Sequence, residues 1–285
     1  MEQFYLIVNP EKRGACETAE AVRDHLRQRG AVCEIQKKGK SPGGAGFRYT
    51  DKKDVPFNTQ CVITFGGDGT LIQAARDLAG CDLPLVGVNM GNLGYLTQIS
   101  REEEISELLD ELVDDNYQME RRMMLKGTAY HDKKEKYQDI ALNEIVITRK
   151  DLLKVLRFRL YVNEEFLNEY TADGMIVATP TGSTAYNLSA GGPIVVPDSR
   201  MIIVTPICPH SLNARSIVLS AEDRIKIRIE GSDVRGQVAV FDGDTATELM
   251  NGDYIEICRA GIETTLIKLK DVSFMDTLRN KMAVV

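Results

Sequence analysis

Residues Gly66-Gly67-Asp68-Gly69-Thr70 are the first in the chain whose types and spacing could do chemistry. They follow an apolar run, Cys61 to Phe65, and precede Leu71, Ala74, Ala75 and Leu78, spaced i, i+3, i+4 and i+7 as on one helix face. A strand that passes through glycines into a helix leaves bare backbone and free N–H groups for an anion such as phosphate. A carboxylate repels phosphate, so Asp68 suits proton abstraction or a metal held beside phosphate. The competing account is an ordinary Asp-Gly turn.

Three further elements share this character. Asp173-Gly174 and the run Thr179-Pro180-Thr181-Gly182-Ser183-Thr184-Ala185-Tyr186-Asn187-Leu188-Ser189-Ala190-Gly191-Gly192-Pro193 concentrate hydroxyls and glycines. Small hydroxyls and exposed amides can hydrogen-bond sugar and base edges, and Tyr186 could stack on a ring. A polar loop before a helix, with Ser183 or Thr184 as its cap, explains the same residues without a ligand. Asn143-Glu144 stands before the β-branched run Ile145 to Thr148 and is either aimed into a cleft or simply a strand edge. Gly91-Asn92-Leu93-Gly94-Tyr95-Leu96 follows the apolar run Leu83 to Val88, at the carboxyl end of an expected parallel strand, where open α/β sheets bind ligands.

The elements that must position these residues fall into two groups. Phe4–Val8, 61–65 and 83–88 are expected buried strands. Residues 16–29 (Ala19, Val22 and Leu26 on one face), the stretch after Thr70, and the stretch after a Ser100/Glu103 capping box are expected helices. Residues 37–60, rich in Lys, Gly and Pro, are expected to be loop. This α/β order predicts a parallel sheet with helices over residues 1–119. From 120 to 265 the period becomes two, as in Leu156, Phe158, Leu160, Val162 and in Ile225, Ile227, Ile229, with further short strands at 238–241, 254–258 and 264–269. That predicts an all-β domain. The tail, 266–285, reads as helical from Ser273 to Met282.

The whole chain sets outer bounds. It has 285 residues, 43% hydrophobic and 27% charged, with a net charge of -7, which gives no general attraction to nucleic acid or anionic lipid. No apolar run approaches the ~18 residues that span a bilayer. The acidic start lacks a basic region and a cleavage site, so a cytoplasmic protein is expected. Six cysteines without a CxxC pair are expected to be buried free thiols. Three histidines without ligand spacing propose no zinc site.

Taken together, the four elements resemble the NAD kinase family, in order and over most of the chain. The Gly66–Thr70 turn alone is shared with lipid kinases of the diacylglycerol and sphingosine type. The 173–193 run is much more specific, and Pro209-His210-Ser211-Leu212 resembles a later family segment. Tyr95 stands where the family often has Phe.

The resemblance implies an α/β amino-terminal domain, an all-β second domain and a C-terminal segment that returns to the first. It implies transfer of a phosphoryl group from ATP or polyphosphate to the 2′-hydroxyl of the adenosine ribose of NAD, giving NADP. By similarity Asp68 is the general base, with Gly69 beside it. Asn143 and Glu144 contact the NAD ribose and neighbouring groups. Asp173, Thr181, Thr184, Ala185, Tyr186, Asn187, Leu188 and Ser189 surround the rest of the dinucleotide, and Lys154, Thr171 and Asp244 match weaker positions. A divalent cation, Mg²⁺, would arrive on the nucleotide phosphates. Small-molecule nucleotides are the expected partners, with no nucleic acid and no membrane, in a homodimer or homotetramer. Two other functions fit part of the pattern, a lipid kinase and a non-catalytic NAD-binding regulator.

Overall fold

The computed structural model describes residues 1–37, 47–91, 94–97, 99, 102–150, 155–211, 213–231, 236–268 and 273–283. The chain divides into two compact units, Met1–Arg121 with Glu263–Val285, and Arg122–Ile262.

The first unit is built on apolar runs too short for anything but buried strands. Strands β1 (Gln3–Val8), β2 (Val32–Ile35), β3 (Cys61–Gly66) and β4 (Leu85–Asn89) pair in parallel in the order β2-β1-β3-β4. Helices α1 (Ala15–Gln28), α2 (Asp68–Asp77) and α3 (Glu102–Val113) connect or follow them. The core is Phe4, Leu6, Val8, Ile63, Phe65, Val86 and Val88 of the sheet with Ala19, Val22, Leu26, Leu108, Leu109 and Leu112 of the helices. In this order β1 feeds β2 on one side while β3 lies on the other. The carboxyl ends of β1 and β3 therefore flank the point where the winding reverses, the usual place for a ligand.

The second unit is two antiparallel sheets face to face. One contains β8 (Leu156–Val162), β9 (Glu165–Ala172), β13 (Ile225–Glu230) and the start of β16 (Tyr254–Lys268), in the order β16-β13-β8-β9. A hairpin of β5 (Gln118–His131) and β6 (Lys134–Ala141) completes this layer. The other has the order β12-β11-β10-β7-β14-β15, from β7 (Glu144–Arg149), β10 (Gly174–Ala178), β11 (Met201–Ile207), β12 (Ile217–Ser220), β14 (Gln237–Phe241) and β15 (Thr245–Leu249). Alternation does the sorting. Ile145 and Ile147 of β7 join Phe158, Leu160, Ile225 and Ile227 in the inner core, while Val146 points outward to Ile176, Ala178 and Ile203. Two short turns of helix, Thr181–Thr184 and α4 (Tyr186–Ser189), lie on the run that follows β10, and the run's Ala190 and Val195 pack on that outer cluster. The chain ends in α5 (Phe274–Ala283), within the first unit.

The structure corrects several expectations. Residues 254–258 and 264–269 are not two strands, since β16 runs unbroken from Tyr254 to Lys268. Its Gly261 interrupts the apolar alternation but not the strand. Strand β2 was not expected, because only four residues form it and Val32 is exposed. The six cysteines are free, but only Cys33 and Cys61 are buried. Cys16 falls one position off the Ala15–Ala19–Val22–Leu26 face of α1 and is exposed, as is Cys208. Asn143-Glu144 is not at a sheet edge, since β7 lies between β10 and β14. Neither short helix after Pro180 has a side-chain cap. The expected Ser100 cap and Lys154 lie outside the described residues.

Candidate active site

In the first unit Asp68 is the first residue of α2 and ties the turn after β3 to the loop after β4. Its Oδ1 accepts from Leu96 N at 3.2 Å, Thr97 N at 2.9 Å and Thr97 Oγ1 at 2.7 Å. Its Oδ2 accepts one bond, from Tyr95 N at 2.7 Å. The carboxylate is thereby fixed in rotation, with Oδ1 saturated and Oδ2 keeping capacity for a further donor. Gly94 is needed for this, because a Cβ there would stand 2.5 Å from Asp68 Cγ and 2.6 Å from Thr97 Oγ1. Asn89 fixes the same loop, donating to Thr97 O at 3.2 Å and accepting from Gly91 N at 2.8 Å.

The glycines of the turn have different causes. Gly66 is held by packing, since a Cβ would meet Thr70 Cβ at 2.6 Å. At Gly67 and Gly69 nothing would lie within 4 Å of an added Cβ, and Gly67 has an extended φ of -129° that any residue adopts. The fold does not require glycine at either position, whereas a ligand lying against the backbone does. The first bonds of α2 are made by Thr70 N and Leu71 N to Gly67 O, so the amides of Asp68 and Gly69 precede the helical ladder. One neighbour was missed by sequence reasoning. Asn9, at the end of β1, donates to Thr70 Oγ1 at 3.3 Å and bonds Phe65 O through its amide at 3.0 Å. Its position beside the winding reversal was its only signal.

In the second unit three segments meet at one end of the β7–β10–β14 sheet. Thr179 donates to Leu142 O at 2.6 Å, and its amide bonds Asn143 O at 2.8 Å. Gly182 must be glycine, because a Cβ would lie 2.5 Å from the carbonyl carbon of Asn143. Thr181 accepts from Arg122 Nη1 at 3.4 Å. The turn after β14 supplies Asp242, whose carboxylate accepts from Leu142 N at 2.7 Å, Asn143 N at 2.8 Å and Glu144 N at 3.0 Å. Asp244 lies in the same turn, its amide bonded to Phe241 O at 3.0 Å.

Within this cluster two buried polar atoms have no hydrogen-bond partner, Asn143 Oδ1 and Glu144 Oε2. Burial, and then the charge of Asp242, push the Glu144 carboxyl up to about 8. Unpartnered buried polar atoms are rare and costly, and a pair on adjacent residues marks where a ligand would bond.

The 179–193 run is more internal than its hydroxyls suggested. Thr181 and Ser183 are buried, and Ser183 Oγ exchanges bonds with Val195. Asn187 is fully buried, donating to Ser183 O at 3.1 Å and Pro193 O at 3.0 Å and accepting from Thr205 Oγ1 at 2.7 Å. Thr184 and Ala185 are half-buried, while Tyr186, Leu188 and Ser189 are exposed. Tyr186 has no aromatic partner among the described residues. The structure does not bring Thr171 and Asp173 to this end. Glu144 pairs with Ala178 and Thr148 with Gly174, so Asp173 lies beyond the opposite end of β10, roughly 17 Å away at ~3.4 Å per residue. There Asp173 accepts from Arg149 Nη2 at 3.0 Å, and Thr171 O accepts from His210 N at 2.9 Å.

The chain matches the family model for the ATP-NAD kinase N-terminal domain over residues 4–117 and that for the C-terminal domain over residues 142–269. This chain belongs to the NAD kinase family. An NAD kinase of Lachnospira eligens is 44% identical over 294 residues, covering 99% of this chain and all of the relative. One of Agathobacter rectalis is 42% identical over 293 residues, covering 99% of each. Among solved structures, yeast NADH kinase complexed with NADH superimposes with a TM-score of 0.86 at 25% identity, covering 100% of this chain and 87% of that one. An NAD kinase from Archaeoglobus fulgidus in complex with ATP shares the fold, with a TM-score of 0.78 at 23% identity, covering 99% of each. No helix among the described residues is long and apolar enough to cross a membrane.

Proposed function

We propose that this NAD kinase family member transfers the terminal phosphoryl group of ATP to the 2′-hydroxyl of the adenosine ribose of NAD, giving NADP, with Asp68 as proton acceptor. The family models and the near-full-length relatives support the reaction. The observation that carries the residue assignment is Asp68 itself. Its Oδ1 is saturated and its Oδ2 holds a single bond, beside two glycines that nothing in the fold crowds.

A ribose hydroxyl is a weak nucleophile. A carboxylate oxygen within hydrogen-bond reach takes its proton as the bond to phosphorus forms. Oδ2 of Asp68 is the oxygen with capacity for it, and the loop Gly94–Thr97 prevents its rotation. The amides of Asp68 and Gly69 at the start of α2 favour phosphate oxygens. A divalent cation would arrive on the phosphates of the nucleotide and would offset the repulsion between them and Asp68. In the second unit Asn143, Glu144, Thr181, Thr184, Ala185 and Asp244 form the dinucleotide surface, with Tyr186, Leu188 and Ser189 exposed beside it and Asn187 holding the run in shape. Thr171 and Asp173 would meet a different part of the ligand. A cytoplasmic homo-oligomer completes this reading, and light scattering of the purified protein checks the assembly.

The test is to incubate purified protein with NAD, Mg²⁺ and either ATP or polyphosphate, and to measure NADP with an NADP-specific dehydrogenase. NADP formed with ATP is expected, with Asp68→Asn lowering kcat by about 10²–10⁴-fold and leaving NAD binding in place. No NADP with either donor refutes the function. An Asp68→Asn variant above a tenth of wild-type kcat refutes the role of Asp68. Phosphorylation of diacylglycerol instead of NAD would establish the lipid-kinase alternative.

A further inference from the structure

We infer that Asp242 is a positioning residue for the dinucleotide, fixing the Leu142–Glu144 backbone so that Asn143 Oδ1 and Glu144 Oε2 are presented unpartnered to it. The inference rests on the function proposed above and deepens it.

Three observations carry it. The Asp242 carboxylate collects three consecutive amides at 2.7, 2.8 and 3.0 Å, and its own amide bonds Glu144 O at 3.0 Å. The two segments are thus bonded in both directions, although about a hundred residues separate them in sequence. Asp242 and Gly243 have left-handed φ of 48° and 72° in the turn that joins β14 to β15, the conformation Asp-Gly favours in a tight hairpin, so a local turn aims the Asp242 carboxylate. Finally, the two atoms left without partners are both on the segment it grips. With backbone fixed and side chains unsatisfied, the segment is ready for a ligand before one arrives, which lowers the ordering cost of binding.

The charge of Asp242 has a second effect. On the strands beside β7, β10 places Ala178 opposite Glu144 and β14 places Phe241 opposite Ile145. Asp244 lies further along the same turn. Among the described residues the charge that raises the Glu144 carboxyl is that of Asp242. Glu144 is therefore neutral at pH 7. Its ionisation would put a second negative charge next to Asp242, against a ligand whose pyrophosphate is already anionic, so dinucleotide capture weakens above about pH 8.

The test is the pH dependence of kcat/KM for NAD in wild type, Asp242→Asn, Asp242→Glu and Glu144→Gln, with the melting temperature of each. Wild type should show a fall centred near pH 8. Asp242→Asn should raise KM for NAD about tenfold while kcat changes less than threefold, and should move the fall to lower pH, toward the range of an ordinary carboxyl. Asp242→Glu keeps the charge but not the geometry, so it should raise KM and leave the position of the fall unchanged. Glu144→Gln should abolish the fall. A merely structural Asp242 would lower the melting temperature without moving the pH profile. Wild-type KM and pH profile in Asp242→Asn, or, should that variant fail to fold, a wild-type KM in Asp242→Glu, overturn the inference. Wild type that makes no NADP refutes the proposed function instead, so the two failures are distinguishable.

Discussion

Replacing Gly94 by Ala changes no group that touches a reacting atom, yet it should disable the enzyme. An added Cβ would lie 2.5 Å from Asp68 Cγ and 2.6 Å from Thr97 Oγ1. Non-bonded carbons sit about 3.5–4.0 Å apart, so Asp68 or the loop must retreat by about 1 Å. Gly94 has no left-handed φ, which leaves that contact as the cause rather than backbone strain. Displacement pulls the carboxylate from the amides of Tyr95, Leu96 and Thr97 and from the Thr97 hydroxyl. A hydrogen bond to a charged group contributes about 1.5–3 kcal/mol, so losing one or two lowers stability measurably without unfolding a domain. The larger effect is on catalysis. A misplacement of about 1 Å in a reacting group costs on the order of 10²-fold.

The assay is steady-state NADP formation with both substrates varied, alongside circular dichroism and a thermal melt. A fall in kcat of about 10²-fold is expected, with KM for NAD changed little, because the dinucleotide surface of the second unit is untouched. A Gly94→Ala enzyme whose kcat stays within threefold of wild type, in a folded protein, would refute the idea that this loop holds Asp68 for the reaction.

Three other outcomes are expected. Gly69→Ala should keep or slightly raise the melting temperature, since the position is helical and nothing lies within 4 Å of the new Cβ, while raising KM for ATP; an unaltered KM would mean no ligand approaches there. Tyr186→Ala should raise KM for NAD with kcat nearly intact and no loss of stability, because the residue is 44% exposed and the stacking proposed for it would be uniform binding; a fall in kcat alone would contradict this. Glu144, at about 8 when folded and at an ordinary carboxylate value of about 4.3 when unfolded, keeps its proton in the fold over that window and loses it in the unfolded chain. Its contribution to stability is therefore lost as pH rises from about 4.3 to 8, at a slope of up to about 1.4 kcal/mol per pH unit, and Glu144→Gln should flatten the decline in ligand-free denaturation at pH 5, 6.5 and 8; parallel curves would exclude it.

What the sequence revealed was local. The Gly66–Thr70 turn reads directly, because a strand, its glycines and the next helix are contiguous. The half-buried strands β8 and β13 show themselves by alternation. What escaped lies in contacts between distant segments. Nothing near Asp242 in sequence announces that it grips residues 142–144. Thr97 carries no motif, yet it gives Asp68 two of its four bonds. Adjacency also misleads, for Asp173 and Thr179 are six residues apart and stand at opposite ends of β10. Asn187 reads as a ligand contact among hydroxyls, but its amide is engaged by the chain itself.

The return of residues 263–285 to the first unit bears on how the protein is made. Domains usually fold in the order in which they leave the ribosome, amino-terminal first. Here the amino-terminal unit is missing a strand segment, Leu266 beside Leu85, until the chain has been made past residue 262. At about 5–20 residues per second, synthesis of the intervening residues 122–262 occupies on the order of 10–30 s. The contiguous second unit can complete its sandwich within that interval, while the parallel sheet that bears Asp68 waits with the edge of β4 open. Emergence of residues 263–285, rather than of the Gly66–Thr70 turn, is then the event that completes the first unit. A message truncated just after residue 262 would yield a finished β sandwich attached to a first unit that still lacks residues 263–285.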